Sequence, residues 1–370
     1  MLGHEVRCVA QTELMPANCG PDVRYRHKCD LSRESIMRPL HLRHASPALA
    51  VAVLLLAVAL GTPRAASPVT DAAQGDFASL VDIGGGRRLY LECRGTGSPV
   101  VVLEAGYRSS ARIWSEDLHQ SGAPRPMVLA GVAAFTRVCA YDRPGTVVLL
   151  NDNVRQSRSD PVPMPRTAPD VVADLHALLR AAGVPGSYVF AGHSLGGLFV
   201  RLYASTYPRD VLGLVLVDAY SETLETLLTP QRWAALVRLN VRSGSDTVKP
   251  IPSYGDLETI GYGKDNVVMR QAAATTPLGP MPLAVLAHAR PFDLPKEAEG
   301  FSSDALESVL RAANENLATL VPNARFFVAK DSGHDIHQDQ PALVIEAIRQ
   351  VVVGVRHPAT WYDLTSCCAK

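Results

Sequence analysis

The sequence predicts an α/β fold: a mostly parallel central sheet with helices on both faces. Two observations carry that expectation. Short, mostly apolar runs, "PVVVLEAG", "SYVFAG", "VLGLVLVDA" and "PLAVLAH", read as buried strands. These runs alternate with stretches of helical periodicity, and strand–helix alternation is what builds a parallel sheet. No internal repeat interrupts the pattern.

Taken in order, "FASLVDIGGG" and "RRLYLECRG" read as two strands joined by a glycine turn at Gly84–Gly86, a hairpin signal. Pro99 to Gly106 forms the first buried strand, followed by a helix start at "ARIWSEDLH" and a short strand at "RVCAYDR". Residues 144–169 are proline-rich and polar without periodicity, and read as a loop. Asp170 then opens a helix, apolar at 171, 172, 175, 178 and 179, with Gly183 as its stop. "SYVFAG" leads into the helix "LGGLFVRLYASTYP", closed by Pro208. After the strand ending at Asp218, residues 220–280 lack strand runs and read as a helical cap inserted into the domain. "PLAVLAH" resumes the strands; "ALESVLRAANENLATL" is helical, "ARFFVAKDSGH" a strand and loop. The helix "PALVIEAIRQVV" follows with Pro341 at its favoured first position.

The chain has 370 residues, with 36 basic residues balancing 36 acidic ones. That balance gives no field for nucleic acid, and none is expected as a partner. Residues 37–66 read as an export signal. Arg38 and Arg43 precede the uncharged run Ala48–Gly61, which is shorter than the about 20 residues of a membrane span. A cleaved signal peptide and an uncleaved anchor that ties the protein to the membrane stay open. Residues 1–36 read as a non-native or disordered extension, and residues 67–370 as the folded domain. The expected location is secreted or cell-envelope. Beyond the leader lie Cys93, Cys139, Cys367 and Cys368, and export makes disulfides permissible.

The chemistry centres on Gly192-His193-Ser194-Leu195-Gly196. The motif falls where a buried strand ends and an amphipathic helix begins, the context a nucleophile elbow requires. Glycines two before and two after the serine let strand and helix backbones approach. A serine hydroxyl needs a base to take its proton. His334, in the loop after the last strand, lies at the carboxyl edge of the sheet, on the elbow's side. His337 is expected as a partly exposed loop histidine, and His193 as packing. His334 and His337 spell His-x-x-His with no third ligand apparent, so neither metal nor cofactor is expected.

The runs "VVLEAG", "RVCAYDRPG", "VVADLHALL", "AGHSLGGLFVRLYA", "GLVLVDA" and "SGHDIHQDQP" together resemble the α/β-hydrolase superfamily. More narrowly, they resemble exported actinobacterial hydrolases of unassigned substrate. The resemblance covers residues 76–356 and implies an α/β-hydrolase fold in which the triad acid falls between Ser194 and His334. It would set the Cys93 and Cys139 strands side by side, in reach of a disulfide. Many relatives carry the acid after the strand that here reads "PLAVLAH", which offers Asp293, although Pro291 occupies the expected slot. Others take it from the strand ending at Asp218, and Asp218 is the preferred acid. The oxyanion donors implied are the Leu195 N–H and, after "VVLEAG", the Tyr107 N–H. Glu104 matches the narrower group. The loop after "YDRPG" departs from many relatives.

The expected activity is therefore a serine hydrolase cleaving an ester or related acyl bond of a small-molecule or lipid substrate. An acyltransferase or cofactor-free perhydrolase with the same triad, and a non-catalytic envelope binding protein, are the alternatives. Leu224, Leu227, Leu228, Trp233 and Leu236 are expected either to line an apolar acyl pocket or to pack the cap onto the body.

Overall fold

The computed structural model describes residues 75–119, 122–150, 153–245, 257–292 and 302–362. The expectations placed on residues 1–66, on Asp293 and on Cys367 and Cys368 lie outside them. β1 (Phe77–Gly84) and β2 (Arg87–Arg94) pair as an antiparallel hairpin. Gly84, Gly85 and Gly86 all hold positive φ in the turn, which glycine adopts without a Cβ penalty.

Along the chain follow β3 (Val100–Glu104), a 3-10 turn at Ala111–Trp114, α1 (Val128–Ala133) and β4 (Val138–Tyr141). A separate small hairpin of β5 (Val147–Leu150) and β6 (Asn153–Gln156) comes next. This corrects the reading of residues 144–169 as featureless loop. Then come α2 (Ala168–Ala181), β7 (Tyr188–His193), α3 (Gly196–Thr206) and β8 (Val211–Val217). α4 (Leu224–Leu227), α5 (Pro230–Ser245) and α6 (Tyr262–Thr275) occupy the interval before β9 (Leu283–His288). The chain continues through α7 (Ser303–Leu317), β10 (Arg325–Ala329), α8 (Ile336–Asp339), α9 (Pro341–Arg356) and α10 (Pro358–Tyr362).

Eight strands form one sheet in the order β1-β2-β4-β3-β7-β8-β9-β10. β1, β2 and β4 pair antiparallel, and every pairing from β4 to β10 is parallel. The continuous apolar runs have a simple cause. Val100, Val102, Phe190, Leu214 and Leu216 face one core, with α2 and α3. Val101, Leu103, Val189, Val215 and Val217 face the other, with α1 and α9. Each strand thus buries both faces, and burying one such side chain contributes about 1.5–3 kcal/mol. Cys93 and Cys139 sit opposite each other on β2 and β4 and are joined by a disulfide.

Helix α2 begins at Ala168, two residues before the expected start. Thr167 caps it: its hydroxyl accepts from the Asp170 N–H, and Asp170 accepts from the Thr167 N–H in return. Such a cap is worth about 1 kcal/mol. In the interval after β8, Leu224, Leu228 and Leu236 are buried in the first core, Trp233 packs on it, and Leu227 is exposed. Leu227 apart, these side chains pack this segment onto the body. Among the described residues, no helix is long and apolar enough to cross a membrane.

Candidate active site

Parallel strands end at one edge of the sheet, and the ends of β3, β7, β8, β9 and β10 bring the candidate residues there. At the end of β7 the backbone turns sharply at Ser194, whose φ is 51°. A left-handed non-glycine residue costs of order 1–3 kcal/mol and needs its surroundings to hold it. Here the Ser194 N–H donates to the Val217 carbonyl at 3.1 Å, and its own carbonyl accepts from Gly197 and Tyr220 N–H. The flanking glycines have a steric reason. A Cβ at Gly192 would lie 2.7 Å from the Gly196 carbonyl oxygen, and one at Gly196 only 2.6 Å from those of Glu104 and Ala105.

Asp218 follows β8 directly and is also left-handed, with φ 43°. It is buried, and its N–H donates to the Leu286 carbonyl at 2.8 Å on the neighbouring strand. His334 Nδ1 donates to Asp218 Oδ2 at 2.5 Å, bringing together two of the three residues expected to act as a triad. With Nδ1 carrying the proton, the neutral ring keeps its lone pair on Nε2. The His334 loop is pinned below by Gln338, whose Nε2 donates to the Ile113 carbonyl and whose Oε1 accepts from the Leu118 N–H.

Burial alone would raise the Asp218 carboxyl, but hydrogen bonds from His288 and His334 outweigh it and hold it well below the ordinary value. For His334, burial opposes the charged ring and the Asp218 hydrogen bond overcomes it, leaving it above the ordinary histidine value. Ser194 Oγ forms no hydrogen bond among the described residues. The link between the elbow and the His334 loop is His193, which donates from Nε2 to the His334 carbonyl at 3.1 Å, with ring centroids 4.7 Å apart.

The sequence reading missed His288. Its Nδ1 donates to the same Asp218 Oδ2 at 2.8 Å, its backbone N–H to Oδ1 at 3.2 Å, and its Nε2 to Glu307 Oε2 at 2.8 Å. The signal was present, since "PLAVLAH" puts this histidine at the carboxyl end of a buried strand.

The loop after β3 lies against the elbow: a Cβ at Gly106 would fall 3.1 Å from Ser194 Cβ. Among the described residues, the N–H groups of Tyr107 and Leu195 have no protein acceptor, while the loop's carbonyls are taken. Arg143 donates from Nη1 to the Ala105 oxygen at 2.9 Å and from Nη2 to the Gly106 oxygen at 2.6 Å. In a trans peptide the N–H opposes the C=O, so the Tyr107 N–H points away from the guanidinium. Arg143 also pairs with Glu104 and, through Nε at 2.6 Å, with Glu258, which accepts the Arg108 N–H at 2.6 Å. Burial pushes Glu104 up to about 7 against the pull of Arg143. Burial opposes the charge on Arg143, yet Glu258 and Glu104 raise it overall. Sequence reasoning singled out neither Arg143 nor Glu258.

His337 is a correction. It is buried in α8, not partly exposed in a loop, because its ring packs 4.9 Å from Trp114 and 4.3 Å from His193. Burial lowers both His193, to about 4, and His337, so these rings are neutral packing elements. His334 and His337 are not brought to a common third donor; a different set, His193, Asp335 and His337, offers atoms within 4.8 Å of one another. The His193 nitrogen near Asp335, Nε2, faces the His334 carbonyl and therefore carries a proton, whereas a metal ligand needs a bare lone pair there.

Residues 100–347 match the model of the alpha/beta hydrolase family. Over 259 residues the chain is 27% identical to YqjL of Bacillus subtilis, an uncharacterized protein, covering 70% of this chain and 85% of that one. It is 24% identical over 325 residues to an AB hydrolase superfamily protein of Gibberella zeae, covering 75% and 94%. A stretch of 138 residues is 32% identical to the carbamate hydrolase candidate RutD of Azorhizobium caulinodans, over 37% of this chain and 43% of that one. Among solved structures, the lipase candidate lip1 of Acinetobacter baumannii AYE shares the fold, with a TM-score of 0.50 at 17% identity and coverage of 78% and 94%. With the family match running from β3 into α9, across every strand end described above, the chain belongs to the alpha/beta hydrolase family.

Proposed function

We propose that this chain is a serine hydrolase that cleaves an ester or related acyl bond, with Ser194 as nucleophile, His334 as base and Asp218 as the orienting acid. The observation that carries this reading is the Asp218–His334 hydrogen bond at the sheet edge where Ser194 sits in its left-handed turn. Ser194 Oγ attacks the acyl carbon as its proton passes to His334 Nε2, and Asp218 steadies the resulting imidazolium. The carbonyl π pair moves onto oxygen, where the Leu195 and Tyr107 N–H groups receive it. Collapse expels the leaving group, which takes the proton from His334. Water then attacks the acyl-enzyme, giving its proton to His334, and a second collapse releases the acid and returns the proton to Ser194.

The Cys93–Cys139 disulfide supports an exported protein, because such bonds persist in oxidising compartments. On this reading the protein belongs with the exported hydrolases its motifs resemble. The bond cleaved is a carboxyl ester. The partial likeness to a carbamate hydrolase candidate makes a carbamate the comparison substrate.

The test is hydrolysis of p-nitrophenyl esters of graded chain length, beside a p-nitrophenyl carbamate. Ester cleavage that falls by about three orders of magnitude or more in Ser194→Ala supports the reading. Wild-type kcat/KM in that variant overturns it.

A further inference from the structure

Both ring nitrogens of His288 face carboxylate oxygens at 2.8 Å: Nδ1 at Asp218 and Nε2 at Glu307. An ionised carboxylate can only accept, so each nitrogen that bonds to one must bring a proton. Glu307 uses its other oxygen to accept the Phe292 N–H at 2.8 Å. Asp218 accepts from His288, His334 and Asn314 at once and donates to nothing. The proton count therefore makes His288 an imidazolium clamped between two carboxylates.

Resting on the hydrolase reading above, we propose that His288, clamped between Asp218 and Glu307, is a positioning residue that fixes the Asp218 carboxylate and holds down the basicity of His334. The mechanism is shared charge. Asp218 Oδ2 serves two imidazoles instead of one, so its pull on a protonated His334 is divided. A cation on the far side of that oxygen also repels a second cation on His334. Burial disfavours a charged His288, but Asp218 and Glu307 outweigh it and raise it to about 8, so the cation persists at neutral pH.

The groups facing each ring are few. Asp218, Glu307 and His334 surround His288, with the Phe292 ring at 5.2 Å. His334 faces Asp218, Asp335, His193 and His288. His193 and Asp335 are unchanged by substitutions at 288 or 307, which isolates the effect of the clamp. Without it a base bonded to a buried carboxylate would stay protonated to higher pH and be slower to accept the Ser194 proton.

The test uses His288→Gln, which keeps a donor for Asp218 but no charge, and Glu307→Gln, which removes the outer carboxylate at the rim. His288→Gln should move the acidic limb of kcat/KM upward by about one pH unit, the size of effect a neighbouring charge produces, whereas Glu307→Gln, which removes a carboxylate and leaves the imidazolium on Asp218, should give no upward shift. The His334 ring titration, followed by imidazole NMR without substrate, should move with that limb. A purely structural role lowers kcat or stability and leaves both titrations where they are. An unshifted His334 in folded His288→Gln, or an equal upward shift in Glu307→Gln, overturns the inference even while ester cleavage persists. A shifted His334 in a protein with no Ser194-dependent cleavage supports the clamp and overturns the hydrolase reading instead.

Discussion

The sheet edge carries two buried clusters of the same form, each a cation held between two carboxylates. Arg143 lies between Glu104 and Glu258, and His288 between Asp218 and Glu307. The first cation never gives up its proton in a protein, and its remaining donors go to the carbonyls of Ala105 and Gly106. The second titrates at about 8 and spends one ring donor on the carboxylate that holds His334 and the other on Glu307. One arrangement thus serves two ends. With a guanidinium it braces the loop that presents the Tyr107 N–H. With an imidazole, on the inference above, it sets how strongly His334 is held.

Breaking the permanent cluster should have the larger effect. Arg143→Met strands two buried carboxylates and removes the brace, and losing one partner of a buried pair costs about 3–5 kcal/mol. Urea unfolding should record that loss; a change within experimental error would mean that Glu104 and Glu258 need no partner.

A smaller, pH-dependent difference sharpens the contrast. The folded value of His288, about 8, lies above its ordinary value of about 6.5. Its charge therefore stabilises the fold fully below pH ~6.5, and that contribution is lost as pH rises through 8. Above pH 7 Glu104 is ionised and the Arg143 cluster keeps its charges. The stability gap between wild type and His288→Gln should accordingly narrow between about pH 6.5 and pH 9, whereas the gap to Arg143→Met should not. Parallel narrowing of both gaps would erase the distinction.

What the sequence made legible follows from the range of the interactions involved. Ser194 was readable because an elbow is local: a strand end, a left-handed residue and close-packed glycines fall within a few residues. Asp218 was preferred over Asp293 only through the resemblance; what is local about it is its place at the end of a buried strand. Glu258 was not readable, because its partner Arg143 lies 115 residues away and no local pattern announces the pairing. His288 was treated as a strand terminus because its role depends on a carboxylate 70 residues earlier and another on α7. The hairpin β5–β6 escaped because an apolar run beside polar turn residues sits in a segment dominated by proline. His337 was misplaced because a loop histidine defaults to solvent, whereas here Trp114 and His193 cover it.

The central claim is that Ser194 is a nucleophile activated by His334 under the hold of Asp218. The most direct measurement is the rate of covalent labelling by a fluorophosphonate, with the modified peptide mapped by mass spectrometry, in wild type and in Asp218→Asn. Labelling on Ser194, slowed by up to about four orders of magnitude when the carboxylate is lost, is the predicted result. Labelling on another residue, or at an undiminished rate in Asp218→Asn, would contradict it.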